Sequence, residues 1–218
     1  MKSLSSCLAT LLAGFVVAIA PARAADPYTV TVWARVLFAV DGKAGEFSVI
    51  DEAAMPAKFV EGVKARVSRM RIPPPMDGDK PATLRSGVRL DFVVTPGDTG
   101  GAVRLDKVSM EPLPLTRYVA PYPDDLAKTG GWESGVVATC QVAVDGRCAS
   151  VTVQPQPGMP ESVRRFAKAS LERWTFEPQR LNDRPIEGES TTQFTLRTPD
   201  SAPEDFRQSR FDRLMQGR

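Results

Sequence analysis

No histidine occurs anywhere in the 218 residues. That absence removes Ser-His and Cys-His nucleophile pairs and every His-ligated metal site at once. Cysteine is scarce as well, with three in the chain. Cys7 lies in the N-terminal apolar segment, and the remaining pair, Cys140 and Cys148, is too small a set to close a structural zinc site. The adjacent carboxylates Asp124 and Asp125 read as solvated helix-start residues rather than a converging acid–base pair. The sequence therefore assigns no catalytic residue, no cofactor-binding residue and no metal ligand. It reads as a non-enzyme with no small-molecule substrate.

Strong charge of one sign is also missing once the N-terminus is considered. Lys2 precedes the apolar run "LATLLAGFVVAIA", and Ala22-Arg23-Ala24 follows as a small-x-small cut pattern. These features predict a signal peptide over 1–24, cleaved after Ala24, and export to the periplasm. The competing reading is an uncleaved inner-membrane anchor, because the run approaches the ~20 residues that span a bilayer. Leu4-Ser5-Ser6-Cys7 looks like an acylation site but precedes the apolar run instead of following it. The leader carries Lys2 and Arg23 and no acid, so the 28 basic residues fall to 26 against 26 acidic ones. A neutral mature chain offers no basic face to track phosphates, and no nucleic-acid partner is expected.

What the chain does contain is itself, twice. Residues 31–92 laid over 135–196 at a constant shift of 104 give 16 identities in 62 positions without a gap. They include Ala39-Val40-Asp41-Gly42 on Ala143-Val144-Asp145-Gly146, Met55-Pro56 on Met159-Pro160, and Asp79 and Pro81 on Asp183 and Pro185. Matches at a turn, a helix start and a second turn in one register mark an internal repeat. Each copy opens with period-two strands around the Asp-Gly turn, which predicts a β-hairpin. Val32, Ala34, Val36 and Phe38 take the core face in the first copy, alternating with Trp33, Arg35 and Leu37; Val136, Ala138, Cys140 and Val142 take it in the second.

Met-Pro then starts a helix in each copy, since proline fits a first turn. The expected buried stripes are Phe59, Val63, Val67 and Met70, and Val163, Phe166, Ala167, Leu171 and Trp174. The stretch "WTFEP" leaves that second helix as an extended exit, with Trp174 and Phe176 closing one end of the core and Pro178 preventing further helix. A last strand follows, "GVRLDFVV" in one copy and "TTQFTLRT" in the other. The expectation is an α+β protein of two tandem modules, each a β-hairpin, a helix and a third antiparallel strand. The boundaries are 25–96 for the first module, 97–118 for a linker, 119–198 for the second module and 199–218 for a tail.

The second module resembles the C-terminal domain of the TonB family, which couples inner-membrane energy to outer-membrane receptors. The resemblance rests on Pro121-Tyr122-Pro123, Leu126-Ala127, Gly131 through Gly135-Val136-Val137, Asp145-Gly146-Arg147, Trp174-x-Phe176-x-Pro178 and Arg184-Pro185-Ile186, and covers about residues 119–197. It implies a short helix, a hairpin, a helix and a third strand, with Tyr122, Pro123, Gly135, Asp145, Gly146, Trp174, Phe176 and Pro178 as structural motif residues. Partner recognition is implied to occur by strand addition, a short extended peptide pairing with the edge of the third strand. Carried onto this chain, that edge is Thr191, Thr192, Gln193, Phe194 and Thr195. The implied partner is a protein or peptide of the cell envelope, such as an outer-membrane receptor of TonB-dependent transport. Energy-transducing members carry an anchor helix with a functional histidine and a long proline-rich stretch, whereas this chain has neither. The first copy matches through its kinship with the second.

Three alternatives stay open on sequence alone. Two tandem copies either leave their edge strands free or cover one another; free edges would also serve a structural, self-associating envelope protein that uses the same strands homotypically, including as a homo-dimer. Retention of residues 1–24 would favour a membrane-anchored energy transducer. Cys140 and Cys148 share one hairpin, but an Asp-Gly turn places them on different faces unless a bulge restores parity, so a disulfide and two plain core positions are both allowed. The tail, "SAPEDFRQSRFDRLMQGR", has Ser201 and Glu204 at capping-box spacing and an apolar set of Phe206, Phe211, Leu214 and Met215, which predicts a short docked helix.

Overall fold

A computed structural model describes residues 27–96, 101–129 and 131–197. The expected leader, 1–24, and the expected tail helix, 199–218, lie outside the described residues. In the first half, β1 (Tyr28–Phe38) and β2 (Ala44–Val49) form a hairpin and α1 (Ala57–Val67) follows. A short ribbon of β3 (Met76–Asp77) and β4 (Lys80–Pro81) leads into β5 (Leu84–Thr95), which returns antiparallel beside β1. Next come β6 (Ala102–Glu111), β7 (Leu113–Thr116) and α2 (Asp124–Thr129). The second half holds β8 (Gly131–Val142), β9 (Cys148–Val153), α3 (Glu161–Leu171), β10 (Thr175–Glu177), β11 (Gln179–Leu181), β12 (Arg184–Ile186) and β13 (Gly188–Arg197). The fold is α+β, with antiparallel sheets and three α-helices among the described residues. None of these helices is long and apolar enough to cross a membrane.

The shift of 104 carries Ala44–Val49 onto Cys148–Val153 and Ala57–Val67 onto Glu161–Leu171. It also carries individual hydrogen bonds. Lys43 N donates to Asp41 Oδ1 at 3.1 Å and Arg147 N to Asp145 Oδ1 at 2.9 Å. Ile72 N donates to Gly42 O at 2.9 Å, and Phe176 N to Gly146 O at 2.8 Å. The two turn glycines have φ of 76° and 80°, a left-handed backbone that a side chain resists. Space matters there too, because a Cβ on Gly42 would sit 2.0 Å from Ile72 O and one on Gly146 2.1 Å from Phe176 O. Each helix exit is thus stapled to its own hairpin turn, which is why "I" and "F" recur two residues after Met70 and Trp174.

Two separate cores result. Val32, Ala34, Val36, Phe38, Val63, Val67, Val88, Leu90 and Phe92 are buried in the first, and Val136, Ala138, Cys140, Val142, Val163, Phe166, Leu171, Trp174, Phe176 and Phe194 in the second. Pro56 and Pro160 stand at the N-caps of α1 and α3, as the Met-Pro pairs predict. Phe59 and Met70 are half-buried and Val60 is buried, so the first stripe is turned slightly from its predicted face. Phe59 still reaches the core, edge-on to Phe92 with ring centroids 5.1 Å apart.

The stretch read as a linker, 97–118, is corrected by the structure: β6 pairs with β5 over most of its length, and β7 pairs with β10. A bulge at Asp106 interrupts the alternation of "AVRLDKVSME", which hid the strand. The halves are also joined more closely than two modules on a tether. Arg180 and Leu181 of β11 pair with Arg85 and Leu84 of β5, so one sheet runs β12-β11-β5-β1-β2 with β6 alongside β5. The second half keeps its own sheet, β13-β8-β9.

Candidate peptide-binding edge

The five predicted edge residues, Thr191 to Thr195, lie together on β13, whose inner side pairs with β8 from Gly188 opposite Val142 to Phe194 opposite Val136. Among the described residues no strand pairs with its outer side. Antiparallel geometry turns alternate backbone groups outward. Thr191 is one of the outward residues, since its N–H donates to Glu111 Oε2 at 3.0 Å and its carbonyl accepts from Arg89 Nη1 at 2.7 Å. The alternation continues to Gln193 and Thr195, both exposed. Phe194, between them, points into the core against Phe166 and Trp174.

Two side chains of the first half therefore occupy the edge at Thr191 as a partner strand would. They come from the back of the first sheet, the face opposite α1, where Trp33, Arg89 and Ser109 lie side by side on β1, β5 and β6. Arg89 is aimed by Asp91, which accepts from Arg89 Nε at 3.0 Å and from Thr31 Oγ1 at 2.6 Å. Glu111 Oε1 accepts from Ser109 Oγ at 2.6 Å, and Glu111 Oε2 takes Ser190 Oγ at 2.9 Å besides Thr191 N. Asp91 and Glu111 are 7% and 6% exposed, so these charge-assisted bonds offset the desolvation of both carboxylates. Free and covered, the alternatives left by the sequence, each hold for part of the strand: closed at Thr191 and unpartnered at Gln193 and Thr195.

The same back face meets the second half elsewhere. Arg35 Nε and Nη2 reach Glu177 Oε2 at 2.8 and 2.5 Å. Trp33, expected to alternate outward, is 8% exposed. At this seam Arg35, Arg85, Ser86, Gly87 and Glu177 line a crevice whose volume open to a water-sized molecule is about 0 Å³. That is below the ~300–1,000 Å³ of small-molecule sites.

The motif residues hold the second core and its edge. Trp174 is buried, with Nε1 donating to Tyr118 O at 2.8 Å and the Arg117 guanidinium 5.8 Å from its ring. Phe176 is held by Gly146, and Pro178 approaches the same turn. Gly135 lies under the Gln193 side chain, which a Cβ would strike at 1.8 Å, and its carbonyl accepts from Gln156 Nε2 at 2.6 Å. Tyr122 packs against the core with its hydroxyl unpartnered among the described residues; burial first, and then the charge of Asp125, pushes it above the usual tyrosine range. Asp125 accepts from Ser162 Oγ at 2.6 Å, and that bond holds its carboxyl below the ordinary range.

Cys140 and Cys148 are bonded, with Cα atoms 5.6 Å apart. Cys140 faces Val151, as a two-residue turn dictates, while a register shift after Gln141 brings Cys148 opposite Val142 in place of Ala143. The bulge is the parity correction that the bond needs. Sequence reasoning missed Arg89, Asp91 and Glu111, which looked like ordinary outward positions; a run of charged residues at every second place in "RLDF" and again at Glu111 was the available signal. Comparison with family models, with characterised proteins and with solved structures returned no match.

Proposed function

We propose that this chain is a periplasmic protein-binding module of the cell envelope, similar to a TonB C-terminal domain in its second half, which captures an extended segment of a partner by strand addition along β13. The observation that carries this reading is the asymmetry between equivalent strands: β6 occupies the outer side of β5, while Gln193 and Thr195 on β13 keep outward backbone groups with no strand beside them among the described residues. Such an edge directs main-chain pairing with an added strand. The order α2, β8, β9, α3, β13 and the Trp174-to-Pro178 exit bound to the hairpin turn support the likeness. The Cys140–Cys148 bond supports export to an oxidising compartment. An outer-membrane receptor of TonB-dependent transport is the partner that the likeness suggests.

The test uses proline to delete one outward donor. Gln193→Pro removes the N–H that faces away from β8, whereas Gln193→Ala keeps it. The purified chain and both variants are offered solubilised outer-membrane proteins. Capture by the parent and by Gln193→Ala, lost in Gln193→Pro with β8 pairing retained by circular dichroism, is the expected result. Equal capture by all three, or none by the parent, sinks the proposal.

A further inference from the structure

We infer that the outer edge of β6 is a self-pairing interface that joins two copies of this chain antiparallel, making the first sheet continuous across a dimer. Only the last residue of β6, Glu111, is shown to bond β13, with its side chain, so the outer backbone of β6 is a different edge and the inference does not rest on the function proposed above.

Among the described residues, β6 pairs only with β5. Its free side is a ten-residue strand, long enough to template another. The bulge at Asp106 also sets its side chains in an unusual order. Val103, Leu105, Val108 and Met110 pair with Val94, Phe92, Leu90 and Val88, so all four share the face that meets α1. Strict alternation would have sent Val108 and Met110 to the other side. Val103, Val108 and Met110 are nevertheless 51%, 42% and 39% exposed, and Tyr28, opposite Val94, is 48% exposed. An apolar stripe that continues a core face into solvent at an open sheet edge is an association surface.

The sequence of β6 says what fits it. An antiparallel register centred between Asp106 and Lys107 puts Asp106 opposite Lys107 of the second copy, and by symmetry Lys107 opposite its Asp106. The same register sets Leu105 opposite Val108 and Val103 opposite Met110, apolar against apolar on one continuous face. Arg104 falls opposite Ser109 on the back face, where it also pairs with its own Asp106 at 2.8 Å. A strand that is its own charge and hydrophobic complement, read in reverse, fits an isologous two-fold contact. Charges on an edge ordinarily keep strands apart; here they select one partner and one register.

Sedimentation velocity on the purified chain from about 1 µM to 1 mM tests this. The expected result is a concentration-dependent doubling of mass. Asp106→Lys alone, or Lys107→Asp alone, sets like charges opposite one another twice and weakens dimerisation about tenfold. The combined Asp106→Lys/Lys107→Asp variant recovers the parent's affinity to within about threefold. Val108→Lys, at an exposed position, leaves a monomer with an unchanged circular dichroism spectrum and melt. A monomer at every concentration, whether because the residues after Arg197 or an unrelated protein take this edge, overturns the inference. So does a dimer that ignores the charge reversals, or one that Gln193→Pro dissociates.

Discussion

Replacing Gly146 by alanine tests the element that both halves share, the staple between hairpin turn and helix exit. Two effects add at this position. A residue with a side chain at φ 80° costs roughly 1–2 kcal/mol by itself. The new Cβ would also lie 2.1 Å from Phe176 O, and this neighbour is backbone, so the exit strand must move away. That movement breaks the 2.8 Å bond from Phe176 N to Gly146 O and loosens Phe176, which is 3% exposed. A lost backbone bond of about 1 kcal/mol and partial exposure of a Phe worth about 1.5–3 kcal/mol when fully buried bring the total to roughly 3–5 kcal/mol. Gly158→Ala is the matched control, since Gly158 has φ 73° with open space around it. It should lose only the conformational part, roughly 1–2 kcal/mol. Gly42→Ala, against Ile72 O at 2.0 Å, should resemble Gly146→Ala more than Gly158→Ala. Urea unfolding of the three variants measures the differences. If Gly146→Ala proves as mild as Gly158→Ala, the contact with Phe176 does not explain why the turn recurs.

Three further outcomes concern the second half and the group that closes its edge. Cys140→Val with Cys148→Ala gives this hairpin the residues that the first half carries at Val36 and Ala44, so it should fold and lose only the cross-link, ~2–3 kcal/mol for so short a loop; an unchanged urea midpoint would refute this. Glu111→Ala leaves Ser190 and the Thr191 amide without their acceptor, at about 2–4 kcal/mol, and Glu111→Gln should cost less. Hydrogen exchange should then show the Thr191 amide losing protection, and protection retained in Glu111→Ala would mean that another group closes that edge. Tyr122 has a raised folded pKa, so its contribution to stability is full below the ordinary 10.0 and is lost as pH rises through the folded value. Tyr122→Phe should therefore melt like the parent at pH 8, because the hydroxyl has no partner to lose, and should fall less steeply than the parent above pH 10. Parallel alkaline curves would count against burial as the cause.

Much of each half was legible because its determinants are local. Val-Asp-Gly turns, Met-Pro helix starts and the 3–4 spacing of Val63, Val67, Val163, Phe166 and Leu171 act within a few residues, and their repetition at one shift guarded against accident. What stayed hidden depends on distant partners. Alternation shows that Trp33 and Arg35 face away from Val32 and Ala34, but not that the second half covers that face. The bond of Arg35 to Glu177 spans 142 residues and that of Arg89 to Thr191 spans 102. Bulges caused the other omissions, since one extra residue at Asp106 breaks the strand pattern of β6 and another at Ala149 on β9 decides whether Cys140 and Cys148 can meet. The five predicted edge residues do share one strand, β13, but the closure at Thr191 was not foreseeable without knowing which face of the first sheet it would touch.

The likeness between the halves makes their differences informative. Val36 and Cys140 are equivalent and fully buried, as are Val63 and Ala167, so the face that meets each helix has been kept for packing. The opposite face has diverged. In the first half it carries Arg35 and Arg89, which reach the second half, and Asp91, which holds Arg89, whereas the positions 104 residues later hold the uncharged Thr139, Gln193 and Thr195. Thr139 instead meets Thr191 on its own sheet at 2.9 Å. A pair of equal binding modules would need two open edges and two comparable back faces. Here β6 takes the outer side of β5, and charged groups behind it fix one end of β13. The first half is thus arranged as a brace, and under the proposed function the length of edge it leaves on β13, beginning at Gln193, would set how many residues of an extended partner could pair there.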